Sequence, residues 1–220
     1  MTANADRVLF GNSLSNVGTD HSAALGSITT ASDKMTANSI HLMKRVARGA
    51  YPRVTPYMTD TGGREYYLVF THPRHFRDLK KDTTIAAARR DALDRGEKNP
   101  IFQDGDIVYD GMIFREIPEL EWAKNSSSLN TETTLEGVGD SSSDVAASFL
   151  CGTQALCYAN KAMPSPTVKK EDDYGFFSGV GIEMAHGIRK LTWNNGDGNA
   201  RTSRKDFGMV TMYFSASADA

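Results

Sequence analysis

Three side chains in one short stretch have the types and spacing that could hold a metal ion. They are His72, His75 and Asp78, each three residues from the next. On a helix that spacing sets three donors on one face, and a zinc site needs such convergence. His72, however, stands directly before Pro73, which suits a helix cap better than a ligand. Histidines near a helix start are ordinary surface residues, and no metal is expected here. Cys151 and Cys157 have five residues between them, where paired zinc ligands have two to four, and the sequence holds no second pair. They read as reduced, half-buried thiols.

Other constellations also fall short of chemistry. The sequence contains no G-x-S-x-G elbow and no G-x-x-x-x-G-K-[ST] phosphate loop. Gly175, Gly179 and Gly181 lie in GFFSGVG, whose spacing is not the dinucleotide fingerprint; Phe176 and Phe177 suggest packing or an intersubunit contact. The loop around Asp197 lacks the closing glutamate of an EF-hand. Glu171, Asp172 and Asp173 read as a solvated acidic turn. No catalytic residue, metal ligand or cofactor is expected.

With 25 basic and 27 acidic residues the net charge is −2, which argues against a protein whose main work is to coat nucleic acid. Basic residues cluster mildly at Lys44, Arg45 and Arg48, at Arg74, Arg77, Lys80 and Lys81, and at Arg89 and Arg90. Apart from Phe76, between Arg74 and Arg77, no aromatic residues are interleaved with them for base stacking, so they read as solvated faces or as ion-pair partners between subunits. The sequence is 40% hydrophobic and 24% charged, enough for a core without disulfides or metals. It has no apolar run of membrane length, and residues 1–10 lack the layout of a secretion signal.

The elements that must position these residues follow from periodicity. Residues 1–30 read as an arm, rich in small and polar residues and carrying the apolar anchors Val8, Leu9, Phe10 and Leu25, which would pack on something else. Residues 31–220 form the remaining domain. A helix is expected over 32–48, capped by Ser32 and striped by Met35, Ile40, Met43 and Ala47. A strand follows at 65–71, then a helix opened by His72-Pro73 and another over 83–93. Asp110-Gly111 marks a β-hairpin within 104–117. Residues 125–144 read as an exposed loop, and 145–159 as a short strand and then a helix ended by Pro164 and Pro166. Stretches 180–193 and 207–215 read as a strand pair around the loop 194–199, the last strand covered on both faces. The mixture predicts an α+β architecture.

Several of these segments, in order, resemble one family. Residues 66–82 (YYLVFTHPRHFRDLKKD) look like a strand and His-Pro helix of tailed-bacteriophage major capsid proteins. Residues 99–118 (NPIFQDGDIVYDGMIFREIP) are similar to the family's Asn-Pro-Ile-Phe motif and following hairpin, and 149–158 (FLCGTQALCY) to its Leu-x-Gly-x-Gln-Ala segment. Asp206-Phe207-Gly208, leading into the last strand, fits as well. The resemblance covers about residues 27–216. It implies the Hong Kong 97-type capsid fold, with axial and peripheral subdomains, in subunits that assemble with copies of themselves into the hexamers and pentamers of an icosahedral shell.

Family members are usually longer at the N-terminus, so the resemblance places this chain in the C-terminal portion of such a protein. It implies a non-enzymatic virion component assembled in the host cytoplasm. Scaffolding, decoration or portal proteins would be further partners, packaged DNA would be touched only by weak non-specific contact, and no membrane would be involved. Two alternatives share that fold, an encapsulin-like compartment shell and a minor virion protein. A hydrolase would need a carboxylate or nucleophile set against His72, His75 or His186.

Overall fold

The computed structural model describes residues 7–12, 21–59, 62–93, 107–122, 134–169, 179–194 and 204–217. They divide into two compact units, one comprising residues 1–155 and 192–220, the other residues 156–191.

The larger unit is built on an eight-stranded mixed sheet. Its central strands are β1 (Val8–Phe10), β3 (Glu65–Thr71), β4 (Ile107–Tyr109), β5 (Met112–Glu116), β7 (Val145–Cys151) and β12 (Met209–Ser215). They lie in the order β1-β12-β7-β3-β5-β4, with β2 (Met58–Thr59) on β3 and β6 (Thr134–Leu135) on β7. The β1–β12 and β3–β5 pairs are parallel; the others are antiparallel. Leu9 and Phe10 are buried, so the apolar anchors of the expected arm pack on this chain's own sheet.

Period-two alternation divides the core between the two faces of the sheet. One face carries Tyr67, Val69, Phe114, Leu150, Val210, Met212 and Phe214. Against it pack α2 (Ala37–Gly49), α3 (Pro73–Lys81) and α4 (Thr83–Leu93) through Ile40, Met43, Ala47, Phe76, Leu79 and Ile85. The other face carries Val8, Phe10, Val145, Ala147 and Tyr213, covered by α1 (His21–Gly26) and Ile28. Phe10 stacks on Tyr213 with ring centroids 5.4 Å apart. The last strand is therefore covered on both faces, as its sequence predicts.

Local chemistry explains the boundaries. The expected helix at 32–48 starts later, at Ala37, because Ser32 is not its cap. Asp33 accepts hydrogen bonds from the amides of Asn12 (3.0 Å) and Thr29 (2.9 Å), which holds that segment as a loop. Thr36 caps instead, its amide donating to Ser39 Oγ at 2.9 Å, while Asp82 accepts from the Ala37 amide at 2.9 Å. Asp82 also accepts from the Thr84 amide (2.7 Å), so one carboxylate serves the N-terminal ends of α2 and α4. The β4–β5 hairpin turns through Asp110 (φ 49°) and Gly111 (φ 74°), the geometry an Asp-Gly turn requires. A Cβ on Gly111 would lie 2.8 Å from the Glu65 carbonyl oxygen.

The C-terminal half departs from the sequence expectation in three places. The expected loop over 125–144 lies outside the described residues as far as 133, but beyond it β6 joins the sheet and Asp140–Ser142 forms a 3-10 turn. The helix expected after β7 is a strand. β8 (Leu156–Lys169) runs through Pro164 and Pro166, and its pairing is irregular between Asn160 and Ala162 and between Ala162 and Ser165. Such interruptions on a ribbon with an open edge tolerate proline where a central strand would not. The partner of β8 is β9 (Gly179–Lys190), so β9 does not pair with the last strand. The hairpin around 194–199 is closed instead by β10 (Thr192–Asn194) and β11 (Arg204–Asp206). The β8–β9 ribbon makes up the smaller unit.

Candidate functional site

His72 and His75 come together, but as internal structure, and Asp78 turns instead to Arg77. His72 is the N-cap of α3, its Nδ1 accepting from the Arg74 amide at 3.2 Å, and its side chain is buried. His75 lies one turn further into the core, its ring 5.5 Å from that of His72 and edge-on to Phe214 at 5.7 Å. Ser148 Oγ accepts from the His72 amide (3.2 Å) and lies 2.8 Å from His75 Nδ1; His75 Nε2 lies 3.3 Å from the Phe214 carbonyl oxygen. The consistent assignment has the Ser148 hydroxyl donating to Nδ1 and the Nε2 proton donating to the carbonyl. Both ring nitrogens of His75 are thereby engaged.

The electrostatics agree with that assignment. Burial pushes His72 down to about 4 and His75 to about 3, the latter also lowered by the neighbouring His72. Both are neutral at physiological pH. Asp78 points elsewhere and takes a 3.1 Å hydrogen bond from Arg77. No cluster of three His, Cys, Asp or Glu side chains arranged for a metal occurs among the described residues.

The two cysteines differ in burial. Cys151 is half-buried at the end of β7, and burial raises its thiol to about 11, which removes its nucleophilic form at neutral pH. Cys157 is exposed on β8, a departure from the half-buried expectation. His186 stands on the exposed ribbon, its ring 5.9 Å from Tyr158.

Four residues of the basic clusters, Lys44, Arg48, Arg74 and Arg77, are paired within the chain. Lys44 donates to the Asp110 carboxylate at 2.6 Å, and Arg48 and Arg53 converge on Glu65. Those two guanidiniums, Arg53 foremost, hold the Glu65 carboxyl below its ordinary range. Arg74 donates to Asp144 (3.1 Å) and to the Ala216 carbonyl (2.9 Å), tying α3 to the chain on either side of β7 and β12. Lys80 lies over the Phe76 ring at 4.3 Å. The side chains of Arg89 and Arg90, the acidic run 171–173, Gly175 with Phe176 and Phe177, and the loop around Asp197 lie outside the described residues.

What sequence reasoning missed is a surface. Eleven large hydrophobic side chains stand exposed among the described residues, and seven of them belong to the β8–β9 ribbon. Three more, Tyr51, Tyr57 and Met58, lie in the segment leading to β3. Alternation along β9, broken at Ala185 and His186, was the available signal, with Val180, Ile182, Met184 and Ile188 against Gly181, Glu183, Gly187 and Arg189. Reading β8 as a helix hid the partner that gives this alternation a face.

Buried histidines, paired cations and an exposed apolar ribbon leave more than one kind of protein open. The comparisons with known proteins decide which. Residues 2–218 match the family described as Phage capsid protein. The chain belongs to that family. Over 199 residues it is 30% identical to the major capsid protein of Pseudomonas phage KPP25, an alignment that spans 88% of this chain and 48% of that one. Its structure is similar to a chain of the cyanophage Pam1 capsid asymmetric unit, with a TM-score of 0.75 and 34% identity over 99% of this chain and 56% of that one. The capsid of Ralstonia phage GP4 shares the fold at 18% identity, with a TM-score of 0.59. This phage capsid chain thus spans about half the length of the relatives it matches. Among its described residues, no helix is long and apolar enough to cross a membrane.

Proposed function

We propose that this capsid-family chain acts as a structural subunit of a phage head, self-assembling as a major capsid protein into the icosahedral shell around the genome. The observation that carries the reading is the match along residues 2–218, together with 30% identity to a curated major capsid protein. The fold we assign is the Hong Kong 97 type. The eight-stranded sheet and its helices would be the axial subdomain, and the β8–β9 ribbon part of the peripheral one. Residues 1–30 would remain an arm and 31–220 the capsid domain, with β1 the point where arm and sheet meet.

A non-enzymatic role fits the chemistry. His75 has both ring nitrogens turned inward, and Cys151 is held as a thiol by burial, so these two groups serve the core. Contact with packaged DNA would be weak and non-specific, a reading that the intrachain pairing of Lys44, Arg48 and Arg74 supports. Hexamers and pentamers of this subunit are the expected assembly in the host cytoplasm, with scaffolding, decoration and portal proteins as further partners.

Peptide mass spectrometry on particles purified from the source of this sequence tests the reading. Peptides of this chain should dominate the protein mass of the particles. Their scarcity would overturn the shell assignment and favour a minor virion protein or a compartment shell.

A further inference from the structure

We infer that the cationic row along α2, His41, Lys44, Arg45 and Arg48, is a contact surface for the phosphate backbone of duplex DNA. The inference rests on the reading of the protein as a subunit of a shell around a genome, and it names the surface that would face that genome.

The four residues stand at i, i+3, i+4 and i+7, which places them along one side of the helix. That side is clear of the buried stripe Ile40, Met43 and Ala47. Together with Gly49 they line an open groove of 570 Å³, and none of the five contributes an apolar side chain.

The charges there do not balance. Asp110 is shared by two partners, Lys44 at 2.6 Å and His41 at 3.1 Å. Glu65 is likewise shared, by Arg48 at 2.8 Å and by Arg53. Arg45 is exposed and has no partner among the described residues. Four permanent cations therefore meet two carboxylates, and His41 adds to the excess when it is protonated. The chain as a whole carries −2, so this patch runs against the overall charge. Each carboxylate holds two basic side chains in place while neutralising one charge, which lowers the side-chain entropy lost when an anion binds. Arg48 and Arg53 remain 50% exposed within their pairs, and a guanidinium has five donors, so donors are left for a further acceptor.

The chemistry of the groove selects its occupant. A protein partner is gripped through an apolar centre inside a polar rim, and this groove has no such centre. Interfaces with nucleic acid are polar and positive. The row is about 10 Å long at the helical rise, and the phosphates of one DNA strand advance about 3.4 Å along the duplex axis, so the row passes about three of them. Cations that meet phosphates fix position without reading bases, which makes the contact indifferent to sequence. With an excess of only two charges it is also weak.

Fluorescence anisotropy of the 220-residue chain with a short labelled duplex of mixed sequence tests this. Two neutralised phosphates require a log–log salt slope of about −1.8, which is about a fortyfold loss of affinity between about 20 and 150 mM NaCl. Arg45→Gln combined with Arg48→Gln should flatten the slope toward zero and weaken binding at the lowest salt at least about tenfold. Glu65 keeps Arg53 in that variant, so no carboxylate is stranded and thermal melts should match the parent. Lys161→Gln combined with Arg189→Gln removes the same charge from the exposed ribbon and should leave slope and affinity unchanged. In purified particles, Arg45 should resist phenylglyoxal while DNA is packaged and react once it is released. A parent chain that fails to bind the duplex, equal loss in both variants, or the same reactivity of Arg45 in filled and emptied particles would overturn the proposal. So would displacement of the duplex by polyglutamate at equal charge, which would assign the row to an acidic protein segment. Each of these outcomes withdraws only the surface, because dominance of this chain's peptides in purified particles would leave the shell reading standing.

Discussion

His75 Nδ1 lies 2.8 Å from the Ser148 hydroxyl, and both side chains are fully sealed from water between α3, β7 and β12. The pair joins a helix to the neighbouring strands β7 and β12. It works only with a neutral imidazole, because Ser148 donates to one nitrogen and the other donates to the Phe214 carbonyl.

Acid should therefore destabilise the fold well above the pH at which carboxylates titrate. Burial holds His75 at about 3 and His72 at about 4, against an ordinary value of 6.5 in the unfolded chain. Between those values the unfolded state binds protons that the folded state refuses, so stability is complete above pH 6.5 and falls below it. For His75 the loss is roughly 1.4 kcal/mol per pH unit once the unfolded imidazole is protonated. Thermal melts should show a clear drop in Tm from pH 7.5 to 5. His75→Leu should lower Tm at neutral pH, by leaving Ser148 and the Phe214 carbonyl without their partner, yet flatten the pH dependence. An unchanged slope in that variant would remove His75 as the cause.

Arg7, by contrast, carries a buried charge with a structural task. Its guanidinium is fully buried and donates to the carbonyls of Phe207 (2.6 Å), Asp206 and Pro52. It thereby joins the start of β1 to the turn before β12 and to the segment after α2. Arg7→Met should cost about 3 kcal/mol, since hydrogen bonds to a buried charge are the expensive ones to remove. Arg7→Lys should rescue only part of it, because an ammonium lacks the fork that reaches acceptors in two directions. Urea titration of the three proteins measures both steps, and full recovery by lysine would show that charge alone matters.

The pattern of what the sequence disclosed follows from how local each cause is. The strand Glu65–Thr71 is legible to the residue, because its β-branched and aromatic content acts within the segment, and the helix Thr83–Leu93 lies where its sequence places it. Asp110-Gly111 announces its turn through positive φ alone. The start of α2 is less legible, since Asp33 is captured by the Asn12 amide, twenty-one positions away. β8 is hidden by two prolines that only an open edge tolerates, and the partner of β9 is set by pairing at a distance. The burial of His72, His75 and Arg7 carries no local mark at all. Polar residues on an amphipathic helix look solvated until the sheet beneath them is known.

Gly208 marks a close approach that should not accept a side chain. A Cβ there would lie 2.3 Å from the Gln154 carbonyl carbon and 2.5 Å from the Ala155 amide nitrogen, and the Gly208 carbonyl accepts from the Gly152 amide at 2.8 Å. These atoms are backbone and cannot swing aside. Gly208→Ala should therefore lose about 2 kcal/mol or more, with the strain falling where β12 begins beside the end of β7. The same substitution at Gly49, where a Cβ meets nothing within 4 Å, should be close to neutral or stabilising. Equal melts for the two variants would contradict the packing at Gly208.

Limited proteolysis should separate the two units in order. On the ribbon, Lys161, Arg189 and Lys190 are exposed and the described residues around them contribute nothing to either core cluster. In the larger unit Lys44, Arg74 and Arg77 lie in helices whose apolar faces are buried and whose cations are paired. Backbone that can leave the fold without unfolding a core is cut first. In dilute chain, trypsin should cleave within 156–191 before it cleaves at Lys44, Arg74 or Arg77. The segment 134–144, expected from its composition to be an open loop, has no tryptic site, and under a glutamate-specific protease its bond after Glu136 should resist longer than composition suggests. Thr134 and Leu135 are paired with β7, and the Asp140 amide donates to the Ile28 carbonyl at 2.9 Å. Peptide mapping of a time course gives the order directly, and an early cut at Arg74 or Arg77 would mean that α3 opens independently of the sheet.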